Sequence, residues 1–365
     1  MKEATHAVKR TKAVLTAGLV LCWCAHGWAV TTTNWTEYEN PPGTNANPVY
    51  SPGHKAYYES VIQDGGTYAM WYATSSGVSV VTSADGISWG ASTACVGLTN
   101  ANHPLVEKTG STYRMWYWPG LSYSINDIRT ATSADGINWT ADQAITQVGS
   151  TVINNSSSSN WNRGSYGPAD VVYNAAGSSS IVSPVDEASV WANKYVMYYD
   201  GTTGGTESIG LAVSNDGINW QGYNGGVSAV LAGTGLAGDW DRTYVSRSTV
   251  IKESDDAFHM WYSGGDGRMD HGIGYAFSVD GINWVRDPNP IFHKTDGVAW
   301  RADRSYCPMV IGDQMWLSGR SSDGTYTVGY AVGEEGYVIP EPLTMLGVFA
   351  GVGGLAGYVR RRVRN

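Results

Sequence analysis

Two carboxylic acids, Glu59 and Asp170, stand at the start of apolar segments that recur along this chain. Those segments are Ser60-Val61-Ile62, Leu105-Val106, Val171-Val172, Thr249-Val250-Ile251 and Met309-Val310-Ile311. Aligned on their valines, they put a second set of residues beside the acids: Tyr57 and Tyr58; Asn102 and His103; Tyr166; Ser246 and Arg247; Arg304 and Tyr306. Two carboxyl groups can divide proton donation and proton acceptance between them. Planar guanidinium forks hold carboxylates or paired hydroxyls, and tyrosine offers an apolar face with a polar tip. Arg247 and Arg304 are therefore read as ligand-holding, and His103 as a contact for ligand or a central cation. Asp200, Glu207, Asp266 and Asp270 follow the second strands and are expected on a rim. No spacing matches zinc ligation or a calcium loop, so neither metal nor cofactor is implied.

Residues at that position need strands to carry them, and the composition supplies strands. The chain has 365 residues with 46 Gly, 16 Trp and 23 Tyr against 4 Phe. Such usage suits short strands and tight turns and excludes a helical bundle. Hydrophobic residues make up 42%, enough for a core, and charged residues only 15%, too few for a charged disordered chain. Without the basic residues near its two ends, the body carries 15 basic against 31 acidic side chains. That surface repels a phosphate backbone, so nucleic acid is not a partner.

The body is repetitive. Ser83-Ala84-Asp85-Gly86-Ile87-Ser88-Trp89 returns as Ser133–Trp139, Ser214–Trp220 and Ser278–Trp284. Asp-Gly between β-prone segments predicts a two-residue hairpin with both turn residues at positive φ. A second phrase precedes each: Met70-Trp71-Tyr72, Met115-Trp116-Tyr117, Met197-Tyr198-Tyr199, Met260-Trp261-Tyr262 and a fifth, Met315-Trp316-Leu317. Each unit then holds about four strands, the size of a propeller blade, and five phrases predict five blades over residues 30–336. The fifth unit lacks its Asp-Gly-x-x-Trp strand, while Asn34-Trp35-Thr36 matches Asn138-Trp139-Thr140. This predicts that the N-terminal segment supplies the missing outer strand and closes the ring. The turn tryptophans are read as packing rather than ligand contacts.

The order inner strand, Met-Trp-Tyr, Ser-x-Asp-Gly-x-x-Trp resembles the five-bladed propellers of the arabinanase, levansucrase and invertase superfamily. Asn47-Pro48-Val49-Tyr50, Asn289-Pro290-Ile291-Phe292, Trp161-Asn162-Arg163, Trp240-Asp241-Arg242 and Trp300-Arg301 fit as connecting phrases. The resemblance implies an all-β fold and carboxylates around an axial funnel acting on glycosidic bonds, where one acid protonates the leaving oxygen and another serves as base or nucleophile. Carried over, it casts Glu59 and Asp170 as catalytic, and Tyr57, Tyr58, His103, Tyr166, Arg247, Arg304 and Tyr306 as substrate-binding. The match is incomplete: the first unit has Glu where the family has Asp, and a third acid is missing.

The ends of the chain carry their own signals. Residues 1–29 read as a signal peptide: basic residues through Lys12, an apolar run from Ala13 to Leu21, and Gly27-Trp28-Ala29 before the cleavage point. Cys22 and Cys24 leave with it, and Cys95 and Cys307 are read as free and buried. Near the other end, Pro340-Glu341-Pro342 precedes the uncharged run 343–359 and Arg360-Arg361-Arg362. This order resembles the PEP-CTERM sorting signal within residues 337–365. It implies a transmembrane helix, recognition by an exosortase after signal peptidase, and delivery to the cell surface or medium. Three functions remain open on the sequence. They are a glycoside hydrolase, a non-catalytic propeller that binds polysaccharide or oligosaccharide, and a structural component of a surface or biofilm matrix.

Overall fold

The computed structural model describes residues 34–98, 100–120, 128–144, 146–147, 161–162, 164–182, 184–267 and 271–334. The signal-peptide and sorting-signal readings lie outside them, as does the serine-rich stretch 154–160. Among the described residues, regular structure is strand plus four short 3-10 turns, and no helix is long and apolar enough to cross a membrane.

The strands pair as antiparallel meanders. The first is Tyr57–Asp64, Thr67–Ala73, Val78–Ser83 and Thr93–Ala94; the second Asn102–Thr109, Thr112–Trp118, Arg129–Ser133 and Trp139–Ala144. The third is Gly164–Tyr173, Tyr195–Thr203, Thr206–Ser214 and Asn219–Gly222; the fourth Tyr244–Ser254, Ala257–Gly265, Gly272–Ser278 and Val285–Arg286. A parallel bridge, Glu207 to Tyr244, joins these two into one sheet. The fifth is Arg304–Ile311, Gln314–Arg320, Tyr326–Gly333 and, from the other end of the chain, Trp35–Glu37. The first strands of the meanders touch in cyclic order, the fifth returning to the first.

The expected closure is present in the expected register. Trp35 lies opposite Gly333 as Trp89 lies opposite Ser83, Trp139 opposite Ser133 and Trp220 opposite Ser214. The N-terminal segment thus occupies the place that the Asp-Gly-x-x-Trp strand fills elsewhere.

The Asp-Gly turns differ from expectation. Gly86, Gly136, Gly217 and Gly281 have φ of 74°, 74°, 75° and 69°, but none of the preceding aspartates is at positive φ. The physical reason is side-chain bonding. Ser83 Oγ donates to Asp85 Oδ1 at 2.8 Å and accepts from Gly86 N at 2.9 Å. Asp85 Oδ1 in turn accepts from the amides of Ile87 and Ser88. An Asx-type loop with one left-handed residue replaces the two-residue hairpin, and the Ser-x-Asp-Gly spelling encodes it.

These turns lock neighbouring meanders together. Trp71 Nε1 donates to Gly136 O, Trp116 Nε1 to Gly217 O, and Trp316 Nε1 to Gly86 O, at 2.7, 2.9 and 2.7 Å. In the third meander Tyr198 replaces the tryptophan and its hydroxyl reaches Gly281 O at 2.6 Å. The insertion after the third inner strand fills the space left over, with Trp191 on Phe258 and its Nε1 on Asp280 O. A Cβ at Gly136 would come within 2.7 Å of Trp71 Cζ2, so the turn needs glycine for space as well as for φ. Trp71, Trp116, Trp261 and Trp316 are at most 1% exposed, and such burial is worth roughly 2–3 kcal/mol per large side chain.

Candidate functional site

The inner strands meet the axis at a repeated irregularity. Register slips between Tyr57 and Ser60, Asn102 and Leu105, Ser246 and Thr249, and Tyr306 and Met309. At these bulges Tyr58, His103, Arg247 and Cys307 take φ of 55°, 50°, 48° and 52°. Non-glycine residues in that region cost about 1–3 kcal/mol each, and such strain concentrates at functional sites. The third strand carries Pro168 at this place, whose ring excludes positive φ, and it slips on both sides of that residue.

Side chains from the preceding meander hold the strained amides. Tyr58 N donates to Ser318 Oγ at 3.0 Å, Arg247 N to Asp200 Oδ1 at 2.7 Å, and Cys307 N to Ser263 Oγ at 2.8 Å. All three acceptors directly follow the Met-Trp-Tyr phrase. Where the next bulge carries Pro168, which has no N–H, that position is Trp118. Where it carries His103, whose amide bonds Asn102 Oδ1, it is Ala73. Asp200 and Glu207, expected on a rim, are instead buried, at 0% and 4% exposure. Asp266 pairs with Arg242 at 2.8 Å, and Asp270 lies outside the described residues.

Four predicted residues come together at the bulges. The Tyr58 ring stacks on His103 with centroids 3.8 Å apart, and the Arg247 guanidinium lies 4.5 Å from its centroid. Arg247 Nη2 donates to His103 Nε2 at 3.0 Å and to Tyr58 Oη at 3.3 Å, and Nη1 sits 3.6 Å from Glu207. Burial, then Arg247 and Arg304, hold His103 well below its ordinary pKa, so the ring is neutral. Its Nε2 must then accept, which leaves the proton on Nδ1. Glu59, 6% exposed, accepts from Ser318 Oγ rather than from an arginine, and burial pushes its carboxyl up to about 8. Tyr58, Glu59, His103, Arg247 and Ser248 line a cavity of about 30 Å³.

Around this cluster, Arg304 covers Tyr306 at 4.2 Å, and Tyr306 is fully buried with its edge to Tyr58. Tyr57 contacts Tyr58 at 4.7 Å and Tyr326 at 5.3 Å. Tyr326, flanked by Lys55 and Arg320, was not foreseen from the sequence, because it opens a third strand and the alignment followed first strands only. Tyr166 lies in the third inner strand, but its side chain is outside the described residues.

Asp170 is elsewhere. Its Oδ1 accepts from Val171 N at 2.8 Å and Oδ2 from Val250 N at 2.6 Å, tying the third inner strand to the fourth. Burial raises it to about 7 against those bonds. It lines a different cavity of about 520 Å³ with Glu107, Lys108, Asp64 and Tyr173. Glu107 is itself raised to about 8, by burial and then by the charge of Asp170. The structure therefore does not bring Glu59 and Asp170 to one cavity. Cys95 and Cys307 form no disulfide, the first half-buried and the second buried. No group of three or more His, Cys, Asp or Glu suited to a metal occurs among the described residues.

No protein-family model matches the chain, and no curated protein matches it in sequence. Solved structures do match. A glycosyl hydrolase from Bacteroides ovatus has a TM-score of 0.57 at 15% identity, covering 82% of this chain and 94% of that one. A structure from work on the GH130 family of mannoside phosphorylases, which contains glycoside hydrolases that target β-1,2 mannosidic linkages in Candida mannan, gives 0.55 at 16%, covering 83% and 97%. An N-acetylgalactosamine deacetylase from F. plautii, in complex with blood group B trisaccharide, gives 0.52 at 14%, covering 83% and 95%. At these identities the likeness is one of fold, and the fold is a glycoside-hydrolase-like β-propeller.

Proposed function

We propose that this is an exported, five-bladed propeller that engages carbohydrate at the mouth of its axial funnel, and that it captures rather than cleaves. The observation that carries the choice is the separation of the two acids. Glu59 opens on a cavity of about 30 Å³, too small for a sugar ring, and both Asp170 oxygens are committed to backbone amides on another cavity. Glycoside cleavage needs two carboxyl groups flanking one bond. Capture needs aromatic faces and a few oriented polar groups, which Tyr57, Tyr326, Arg247 and Arg304 supply. Five meanders with inner strands in cyclic contact support the blade count, and sugar-related proteins of the same fold support the ligand class.

Hydrolysis is the second reading, favoured by the Glu59 carboxyl being neutral near pH 7 and so able to donate a proton. Binding and product release on arabinan, fructan, xylan and mannan fragments separate the two. On the capture reading, wild type releases no product, Glu59→Gln binds as wild type does, and Tyr57→Ala weakens binding by about tenfold. Turnover that disappears in Glu59→Gln overturns capture and establishes the second reading.

Export rests on the two terminal signals. We infer signal-peptidase cleavage after Ala29, membrane insertion through residues 343–359, and exosortase processing at Pro340-Glu341-Pro342 before release to the surface or medium. Mass spectrometry of the exported chain is expected to show the tail removed in wild type and retained when those three residues are alanine. Equal processing of both removes the sorting reading.

A further inference from the structure

We propose that the chamber beneath Tyr58 is a halide site, where one chloride-sized anion meets the open hydrogen-bonding positions of Glu59, His103 and Ser248. Glu59 Oε1, His103 Nδ1 and Ser248 Oγ are all buried and have no protein partner, on side chains 6%, 6% and 1% exposed. Buried polar atoms without partners are rare, and each costs about 1–3 kcal/mol. Here the residues that carry three of them, on three different inner strands, belong to the lining of a single cavity. Its volume of about 30 Å³ admits one or two small occupants, since one water needs roughly 10–15 Å³ on this measure.

The polarity of the site selects an anion. His103 Nε2 already accepts from Arg247 Nη2, so Nδ1 carries the hydrogen and is the ring's open donor on a residue that lines the chamber. Ser248 contributes a hydroxyl hydrogen. Glu59 Oε2 takes the Ser318 hydroxyl, so when the carboxyl is neutral Oε1 carries the proton and becomes a third donor. A cation would face an N–H hydrogen in the field of Arg247 and Arg304, which already disfavours charge on His103.

The groups facing Glu59 are Tyr57 and Tyr58 on its own strand, and His103 on the second. The fourth contributes Arg247 with its partners Asp200 and Glu207; the fifth meander contributes Cys307 and Ser318, and the charge of Arg304 acts on His103. The third presents the uncharged Pro168 and Ala169. Glu59 is neutral below about pH 8 and becomes a carboxylate above it, replacing a donor with a repelling charge. Halide binding is therefore coupled to one proton. The inference stands on the fold and is independent of carbohydrate binding.

The test uses bromide as probe, by anomalous scattering from crystals grown near pH 6. Alongside it, bromide and chloride affinities come from thermal shifts against sodium gluconate at about pH 6 and pH 9.5. An anomalous peak is expected between His103 Nδ1, Ser248 Oγ and Glu59. Affinity is expected to fall roughly thirtyfold at the higher pH, as one required proton is lost. Glu59→Gln keeps an N–H donor and is expected to bind at both pH values, and Ser248→Ala to bind less tightly. Water alone in the chamber, or halide stabilisation with the same pH dependence in wild type and Glu59→Gln, overturns the proposal.

Discussion

Glu59 and Asp170 show how far residue type and position in an alignment can be trusted. Both are acids at the first strands, and both have carboxyls raised by burial, to about 8 and about 7. What the sequence does not display is which way each points. Asp170 falls one place further along its strand than Glu59, at the position of Ser60 and Thr249, whose hydroxyls also tie adjacent inner strands. Counted from the valines, that one-residue offset was visible, but period-two alternation turns it into opposite sides of the bulge. Glu107 was missed because it lies past the valine, on the stretch read as core. Together these three acids set a pH dependence. A carboxyl raised in the folded state keeps a proton that the unfolded chain has released. Stability is then greatest below the ordinary carboxylate pKa, falls as pH rises toward about 8, and levels above it. Each such group contributes a slope of about 1.4 kcal/mol per pH unit across that window. Thermal unfolding between pH 5 and 8 is expected to show a falling melting temperature, with a shallower slope in Glu59→Gln. Equal slopes in the two proteins would mean that Glu59 is ionised in the fold.

At the scale of elements, the recurring phrases turn out to be a set of couplings between neighbours. Met-Trp-Tyr is an apolar strand whose central ring reaches the glycine carbonyl of the next unit's turn. Its tyrosine is capped by the connecting phrase: Asn162 Nδ2 donates to Tyr199 Oη at 3.2 Å, and Tyr262 Oη donates to Asp241 Oδ2 at 2.9 Å. The fifth unit has Leu317 in place of tyrosine and Arg301 in place of Asn or Asp, so the polar pair is absent at both ends at once. Arg301 turns instead to Glu37 and Asp296. The strands, their order and the closing segment were therefore legible, because repetition repeats its packing rules. Turn geometry was not, since Asp-Gly alone suggests a hairpin and the governing serine stands two residues earlier. Nor were the bulges, where Tyr58, His103, Arg247 and Cys307 share no residue type. Only the acceptors opposite them, Asp200, Ser263 and Ser318, left a pattern.

For the whole molecule, the decisive element is the shortest. Trp35–Glu37 is three residues long, yet it covers the exposed edge of Tyr326–Gly333. Its anchoring goes beyond the backbone ladder. Trp35 meets Trp261 of the fourth meander edge-on at 5.9 Å, and the Trp261 Nε1 finds no acceptor of the kind the other units provide. Glu37 pairs with the buried guanidinium of Arg301, so the segment supplies one of the two carboxylates, beside Asp296, that neutralise it. Tyr38 N bonds Tyr330 O, and Asn47 brackets the Tyr330 backbone from the next turn of chain. An unpaired edge on the last sheet would open the ring and leave a strand free to recruit other chains. Trp35→Ala is expected to cost about 3–5 kcal/mol, as for other buried aromatic truncations. Deleting residues 34–40 is expected to do more than lower the melting temperature: unfolding should lose its single cooperative transition, and the protein should associate. Calorimetry with light scattering reads both, and a truncated protein that melts like the full chain and stays monomeric would show that the ring holds without its clasp.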